Sequence, residues 1–151
     1  MTALPSKSPL ETLVFLLGGP AMLSRPITNS LDLMRAAEAG VPMQAVRHLQ
    51  AHMGLTNREM SEVMSISEST LTRRQNAQSN LTRDEAEKAI QLSAVIAHGL
   101  EVFGNEPDLH RWLHAENKAL GGIRPQSLLS SALGREQVRE ILGRIEWGIY
   151  S

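Results

Sequence analysis

The chain of 151 residues is 42% hydrophobic and 21% charged, with a net charge of -1, which is typical of a globular protein and excludes a strongly basic nucleic-acid-binding chain. It contains no cysteine, so disulfides and thiolate metal sites are excluded. No apolar run approaches the roughly 20 residues that a membrane-spanning helix needs, and the short run at 13–17 lacks the basic flank of a secretory signal. We therefore expect a cytoplasmic protein with no membrane partner.

Three helices, separated by glycine and proline, are predicted at the start of the chain: residues 9–18, 30–39 and 43–53. Pro9 suits the first turn of a helix, whereas Gly40 and Gly54 suit the end of one. Residues 20–29 contain two prolines and are predicted to form a loop. We expect the second helix to place Leu31, Met34 and Ala37 together on one face.

A helix-turn-helix is predicted next. Thr56 and Glu59 form a capping-box pattern, and an apolar stripe with helical spacing follows at Met60, Val63 and Met64. Residues 65–67 interrupt the pattern, and a second helix is predicted over 68–77 with Ser67 as its cap and Leu71 buried. Ser65 stands in the turn, where glycine is most common.

The second of these helices has a polar and basic outer face. A recognition helix lies in the major groove, where hydroxyl, guanidinium and amide groups contact base edges or phosphates. The alternative is an ordinary helical hairpin with a solvated polar face. If the pair reads DNA, the predicted contact residues are Ser67, Ser69, Thr70, Thr72, Arg73, Arg74 and Gln75.

The rest of the chain is also predicted to be helical. A second capping box, at Thr82 and Glu85, opens the longest helix, which reaches about Phe103. This helix is apolar on more than one side, which indicates burial by several neighbours or by another subunit. Further helices are predicted from Asn105 onward and over 135–147, and no segment alternates with period two. The predicted fold class is therefore all-α.

The chain offers no convincing catalytic, cofactor or metal site. The histidine pairs at 48/52 and 110/114 each share a helix face, as in a two-histidine metal site. Neither pair has the glutamate of the H-E-x-x-H motif or an evident third ligand, so we interpret them as solvated surface residues. Gly121-Gly122 lacks the Lys-Ser/Thr of a phosphate loop and is predicted to be a helix connector. We expect a protein that is not an enzyme.

The C-terminus carries the second functional signal. The last helix buries its apolar stripe, which leaves Arg144, Trp147 and Tyr150 near a chain end with little structure to cover them. Exposed Trp, Tyr and Arg are the residue types most enriched in interface hot spots. The alternative is that Trp147 and Tyr150 fold back on their own core.

These segments resemble the Xre/MbcA/ParS antitoxin family from about residue 40 onward. Gly40-Val41-Pro42, the run at 70–74 and Phe103-Gly104 are similar to the family's helix-turn-helix domain. The block N-x-A-L-G-G-x-R-P-x-x-L-L at 117–129 and the ending R-I-E-x-G-x-Y-S at 144–151 are similar to its toxin-binding domain. The resemblance implies an Xre-like central domain and a small helical C-terminal domain, divided as residues 1–40, 41–104 and 105–151.

The resemblance also implies partners and a function. Such proteins are antitoxins of type II toxin–antitoxin pairs that dimerise through their helical middle, cover the active site of an NAD⁺-consuming RES-domain toxin and repress their own operon. No cofactor, metal or small-molecule substrate is implied. A stand-alone helix-turn-helix regulator, whose C-terminal half dimerises or senses a ligand, is the alternative. The implied toxin contacts are Trp112, Leu120, Gly121, Gly122, Arg124, Pro125, Arg144, Glu146, Trp147, Ile149, Tyr150 and Ser151.

Overall fold

A computed structural model describes residues 8–148 of the chain, and within that range the predicted all-α fold is confirmed. Backbone pairing of the β type is limited there to two isolated bridges, Pro42 with Asn80 and Asn117 with Ile123. Short 3₁₀ turns occur at Pro20–Leu23, Lys118–Leu120 and Pro125–Leu128. The α-helices are α1 (Pro9–Leu16), α2 (Ser30–Ala39), α3 (Met43–Met53), α4 (Asn57–Met64), α5 (Glu68–Asn76), α6 (Arg83–Phe103), α7 (Glu106–His114) and α8 (Ala132–Glu146).

Local side-chain chemistry sets where most of these helices begin. In both predicted capping boxes the threonine accepts from the N3 amide while the glutamate accepts from the cap amide, at Thr56/Glu59 and Thr82/Glu85. The last helix begins three residues earlier than predicted, because Ser131 accepts a hydrogen bond from the Gly134 amide and caps it.

Helix α6 is the centre of the fold. It packs against α1, α2, α3, α4, α7 and α8, and its buried residues extend from Ala86 to Leu100. The expectation that a helix apolar on several sides is surrounded by neighbours is thereby confirmed. One continuous core runs from Leu13 to Leu142, so the division at residues 40 and 104 stays a prediction. No described helix is both long and apolar enough to cross a bilayer.

The predicted apolar face of α2 is wrong in part. Leu31 and Met34 are about half exposed, at 49% and 56%. The helix instead turns Leu33, Ala36 and Ala37 toward the core. The spacing of apolar residues allowed two faces, and the short side chains at 36 and 37 permit the closer approach to neighbouring helices.

Candidate functional site

The helix-turn-helix is formed by α4 and α5, joined by a turn at residues 65–67. Ser65 has φ +61°, the left-handed conformation for which glycine is favoured. The Ser65 and Ile66 amides donate to the Glu62 and Ser61 carbonyls at 3.2 and 3.0 Å, which closes the end of α4. Lys88 Nζ donates to Ser65 Oγ at 3.1 Å. The serine therefore makes the turn that a glycine would make, and it receives a tether from α6.

The exposed face of α5 is polar with one cation. Ser69, Thr72 and Arg73 are exposed and follow one another at helical spacing. They line an open depression together with Glu68 and Asn76, two residues that were not predicted as contacts. The signal was present in the sequence, because Glu68, Thr72 and Asn76 are spaced by four and share one face of a helix. We call the exposed surface formed by residues 68, 69, 72, 73 and 76 the reading face.

Ser67 and Thr70 use their hydroxyl groups within the helix start. Ser67 Oγ accepts from the Thr70 amide at 3.1 Å and donates to Thr70 Oγ1 at 2.7 Å. Ser67 is exposed, whereas Thr70 is half-buried. These two residues therefore position α5 by capping it.

Arg74 and Gln75 do not lie on the reading face, contrary to prediction. Arg74 forms a bidentate ion pair with Glu85, at 2.7 and 2.8 Å, and both side chains are largely buried. Its bond to Glu85 raises the pKa of Arg74, and the same bond lowers the pKa of Glu85 below its ordinary value against the opposing effect of burial. Gln75 is only 8% exposed, and its Nε2 has no partner among the described residues. At helical spacing, residues 71 and 75 both face inward.

The C-terminal end of α8 presents an exposed aromatic side chain. Trp147 is 79% exposed and Arg144 is exposed beside it, so Trp147 does not fold back on the core. Glu146 Oε1 lies 3.2 Å from His98 Nε2, and this hydrogen bond attaches the end of α8 to α6. Leu133, at the other end of α8, is 78% exposed and was not predicted as a contact. Ile149, Tyr150 and Ser151 lie outside the described residues.

The Asn117–Ile123 segment is a tight exposed loop. The Asn117 amide donates to the Ile123 carbonyl at 3.2 Å, and Asn117 Oδ1 accepts from the Ala119 amide at 2.9 Å. Gly121 and Gly122 sit at its tip with positive φ angles of +72° and +86°. Leu120 is half-buried within the loop, and Arg124 follows it in an exposed position. The accessible groups of this region are therefore the backbone of the loop and the side chains of Lys118, Ile123 and Arg124.

Two predicted toxin contacts pack within the C-terminal half of the chain, and their part in toxin binding stays a prediction. Pro125 is buried in the 3₁₀ turn, and that turn packs between α7 and α8, which removes its ring from the surface. Trp112 is half-buried, and its ring packs on Phe103 with centroids 5.6 Å apart. The packing of the C-terminal helices therefore accounts for Pro125 in the block at 117–129 and for Trp112 before it.

The interpretation of the histidine pairs as solvated surface residues is wrong for three members. His52 Nδ1 bonds to Glu106 Oε2 at 2.7 Å, His110 Nε2 to the His52 carbonyl at 2.6 Å and His114 Nε2 to Glu59 Oε2 at 3.1 Å. Partial burial acts to raise the pKa of Glu59, but hydrogen bonds from Thr56 and His114 outweigh it, and the pKa lies below its ordinary value. These histidines attach α7 to α3 and α4.

Comparison with known proteins agrees with this arrangement. Residues 32–93 match the model of the Antitoxin Xre-like helix-turn-helix domain, and residues 98–148 match that of the Antitoxin Xre/MbcA/ParS C-terminal toxin-binding domain. The Antitoxin Xre proteins of Photorhabdus laumondii and Yersinia enterocolitica are each 24% identical over 127 residues, 83% of this chain and 86% of the relative. Both domain types were predicted from the sequence.

A solved structure shares the fold. The crystal structure of the M. tuberculosis MbcT-MbcA toxin-antitoxin complex contains a chain that aligns with a TM-score of 0.53 and 17% identity, covering 83% of this chain and 100% of that chain. Two consecutive domain matches and two relatives matched over 86% of their length agree with this fold, and the chain belongs to the Xre/MbcA/ParS family of antitoxins.

Proposed function

We propose that the protein neutralises a cognate toxin by covering its active site with the end of α8 and the tail that follows, and represses its own operon through α5. The toxin is of the RES-domain class that consumes NAD⁺. The protein acts by binding alone, without a cofactor or a small-molecule substrate. It does so as a homodimer in the cytoplasm, where the operon lies.

The observation that carries the proposal is that two exposed surfaces of different chemistry lie in the two segments that match different domain models, residues 32–93 and 98–148. The reading face offers hydroxyls, an amide and the Arg73 guanidinium, which suit base edges and phosphates. The end of α8 offers Trp147 and Arg144, residue types that anchor protein interfaces. One protein can therefore hold DNA and a toxin with separate residues.

The charge of the reading face supports a dimer. Arg73 forms no ion pair among residues 8–148, so its charge is available to DNA. Arg74 adds no free charge because Glu85 neutralises it, and Glu68 places a negative charge on the reading face itself. Affinity for the DNA backbone grows with the number of phosphates that cations neutralise. A single copy therefore attracts DNA weakly, and two copies on half-sites about 34 Å apart would double the contacts.

The test is co-expression with the product of the neighbouring reading frame. The full chain should restore growth and co-purify with that product, whereas a variant ending at Gly143 should lose both while still shifting a fragment of its own promoter. The Arg73→Ala variant is the matched control, and it should restore growth but shift the fragment poorly. Rescue by the truncated variant would refute the role of residues 144–151. Promoter binding without any association with the neighbour would favour a stand-alone regulator.

A further inference from the structure

Arg74 follows Arg73 on α5 but faces the body of the protein. Arg74 Nη1 and Nη2 donate to the two carboxylate oxygens of Glu85 at 2.7 and 2.8 Å, and Nη2 also donates to the Asn80 carbonyl at 3.0 Å. The two side chains are 16% and 17% exposed. A planar guanidinium in a two-point contact fixes direction as well as distance. Arg74 therefore constrains the last turns of α5 relative to α6.

Glu85 is itself held in place. Its Oε1 also accepts from the Thr82 amide at 2.8 Å, while Thr82 Oγ1 accepts from the Glu85 amide at 3.2 Å. The carboxylate is therefore part of the capping box that begins α6, the central helix of the fold. Arg74 attaches α5 to a fixed point and not to a mobile surface side chain.

The segment between α5 and α6 is anchored on its other side. The Met43 amide donates to the Ser79 carbonyl, and the Leu81 amide donates to the Val41 carbonyl, both at 2.8 Å. Ser79 Oγ further donates to the Arg74 carbonyl at 3.3 Å. Helix α5 is only nine residues long and packs on α3 and α4 through Leu71 and Gln75, so these polar contacts add to that packing in fixing its C-terminal half.

We infer that Arg74, through Glu85, is a positioning residue that sets the angle of α5 so that Arg73 and Asn76 meet the DNA. The inference rests on the proposed operator binding and goes beyond it by separating two adjacent arginines. Arg73 is the DNA contact, and Arg74 makes none. Base contacts require placement within about 0.5 Å and 10–20°, so a tilt of α5 would weaken specific binding although no DNA-contacting side chain is removed.

The test is a charge-reversal cycle measured by binding to a fragment of the protein's own promoter. Arg74→Glu and Glu85→Arg should each weaken binding at least about tenfold, because misorientation loses at least one base contact. The double variant R74E/E85R should bind several-fold more tightly than either single variant, since the ion pair is restored with reversed sign. Glu85→Arg and the double variant both lose the capping box, so its loss does not contribute to the difference in affinity between those two variants. A double variant that binds no better than Glu85→Arg would overturn the inference.

Two further measurements separate positioning from direct contact. Arg74→Met should leave the slope of log affinity against log salt unchanged, because no phosphate contact is removed; a slope that falls by about one would overturn the inference. In the control cycle, Arg73→Glu with Glu85→Arg should show no recovery, because Arg73 does not contact Glu85. If the unmodified protein does not bind the fragment, the proposed DNA binding itself is refuted. If the unmodified protein binds but the double variant shows no recovery, only the positioning role of Arg74 is refuted.

Discussion

The packing of α8 predicts opposite effects for one substitution at two positions of the same helix. A Cβ built on Gly134 would lie 1.9 Å from the Leu128 carbonyl oxygen and 2.9 Å from Ser131 Oγ. Non-bonded carbon and oxygen atoms need about 3.3 Å, so the shortfall against the backbone oxygen is about 1.4 Å. A Cβ on Gly143 meets nothing within 4 Å. Neither glycine has a positive φ, so helix propensity favours alanine at both.

The magnitudes follow from two competing effects. Alanine is preferred over glycine inside a helix by about 1 kcal/mol, so Gly143→Ala should raise the free energy of unfolding by up to that amount. At Gly134 overpacking opposes the gain. The Leu128 carbonyl cannot easily retreat, because Leu129 is fully buried and its carbonyl accepts from Arg135 at 3.0 Å. Overpacking costs about 1–3 kcal/mol, and the upper value applies here, which leaves Gly134→Ala about 2 kcal/mol less stable than the natural protein.

The assay is urea unfolding followed by far-ultraviolet circular dichroism and by tryptophan fluorescence. The two variants should differ by about 3 kcal/mol, or roughly 6–12 °C in Tm for a chain of this size. Gly143→Ala is the matched control, because it makes the same chemical change in the same helix. If Gly134→Ala unfolds at the same urea concentration as the natural protein or a higher one, the close approach of α8 to Pro125–Leu128 is wrong.

Four other substitutions give predictions from single features of the structure. Ser65→Gly should raise the free energy of unfolding by up to about 1 kcal/mol, because a serine in the left-handed conformation is strained. Ser67→Ala should lower it by about 1 kcal/mol, because the cap of α5 is lost. Urea unfolding midpoints equal to that of the natural protein would contradict both. The pKa of Glu85 is lowered in the folded state, so its stabilisation is present above the unfolded pKa and disappears as pH falls through the folded pKa. Glu85→Gln, which can keep the cap, should therefore be less stable at neutral pH and lose less stability on acidification below about pH 4.5; parallel pH profiles would refute this. Trp147→Ala should change the free energy of unfolding by less than about 0.5 kcal/mol, since the side chain is 79% exposed. The same variant should bind the toxin more weakly by about 2 kcal/mol or more in calorimetric titration. Unchanged toxin affinity would exclude Trp147 from the interface.

Features that depend on neighbouring residues in the chain were accessible from the sequence. The capping boxes at Thr56 and Thr82 and the glycine-tipped loop at 121–122 were predicted correctly. A cap is a contact across three residues, so a short stretch of sequence contains both partners. The same holds for the family, because its motifs are contiguous blocks.

Features that depend on residues distant in the chain were decided by the tertiary structure. Whether Arg74 faces DNA or Glu85 depends on where α6 begins relative to α5, and whether His114 is solvated depends on the position of Glu59, 55 residues earlier. The apolar face of α2 was ambiguous for the same reason. Periodicity shows that a helix has a buried side, but the side chosen, and the partners of the polar groups at its edge, are set by which helices pack together.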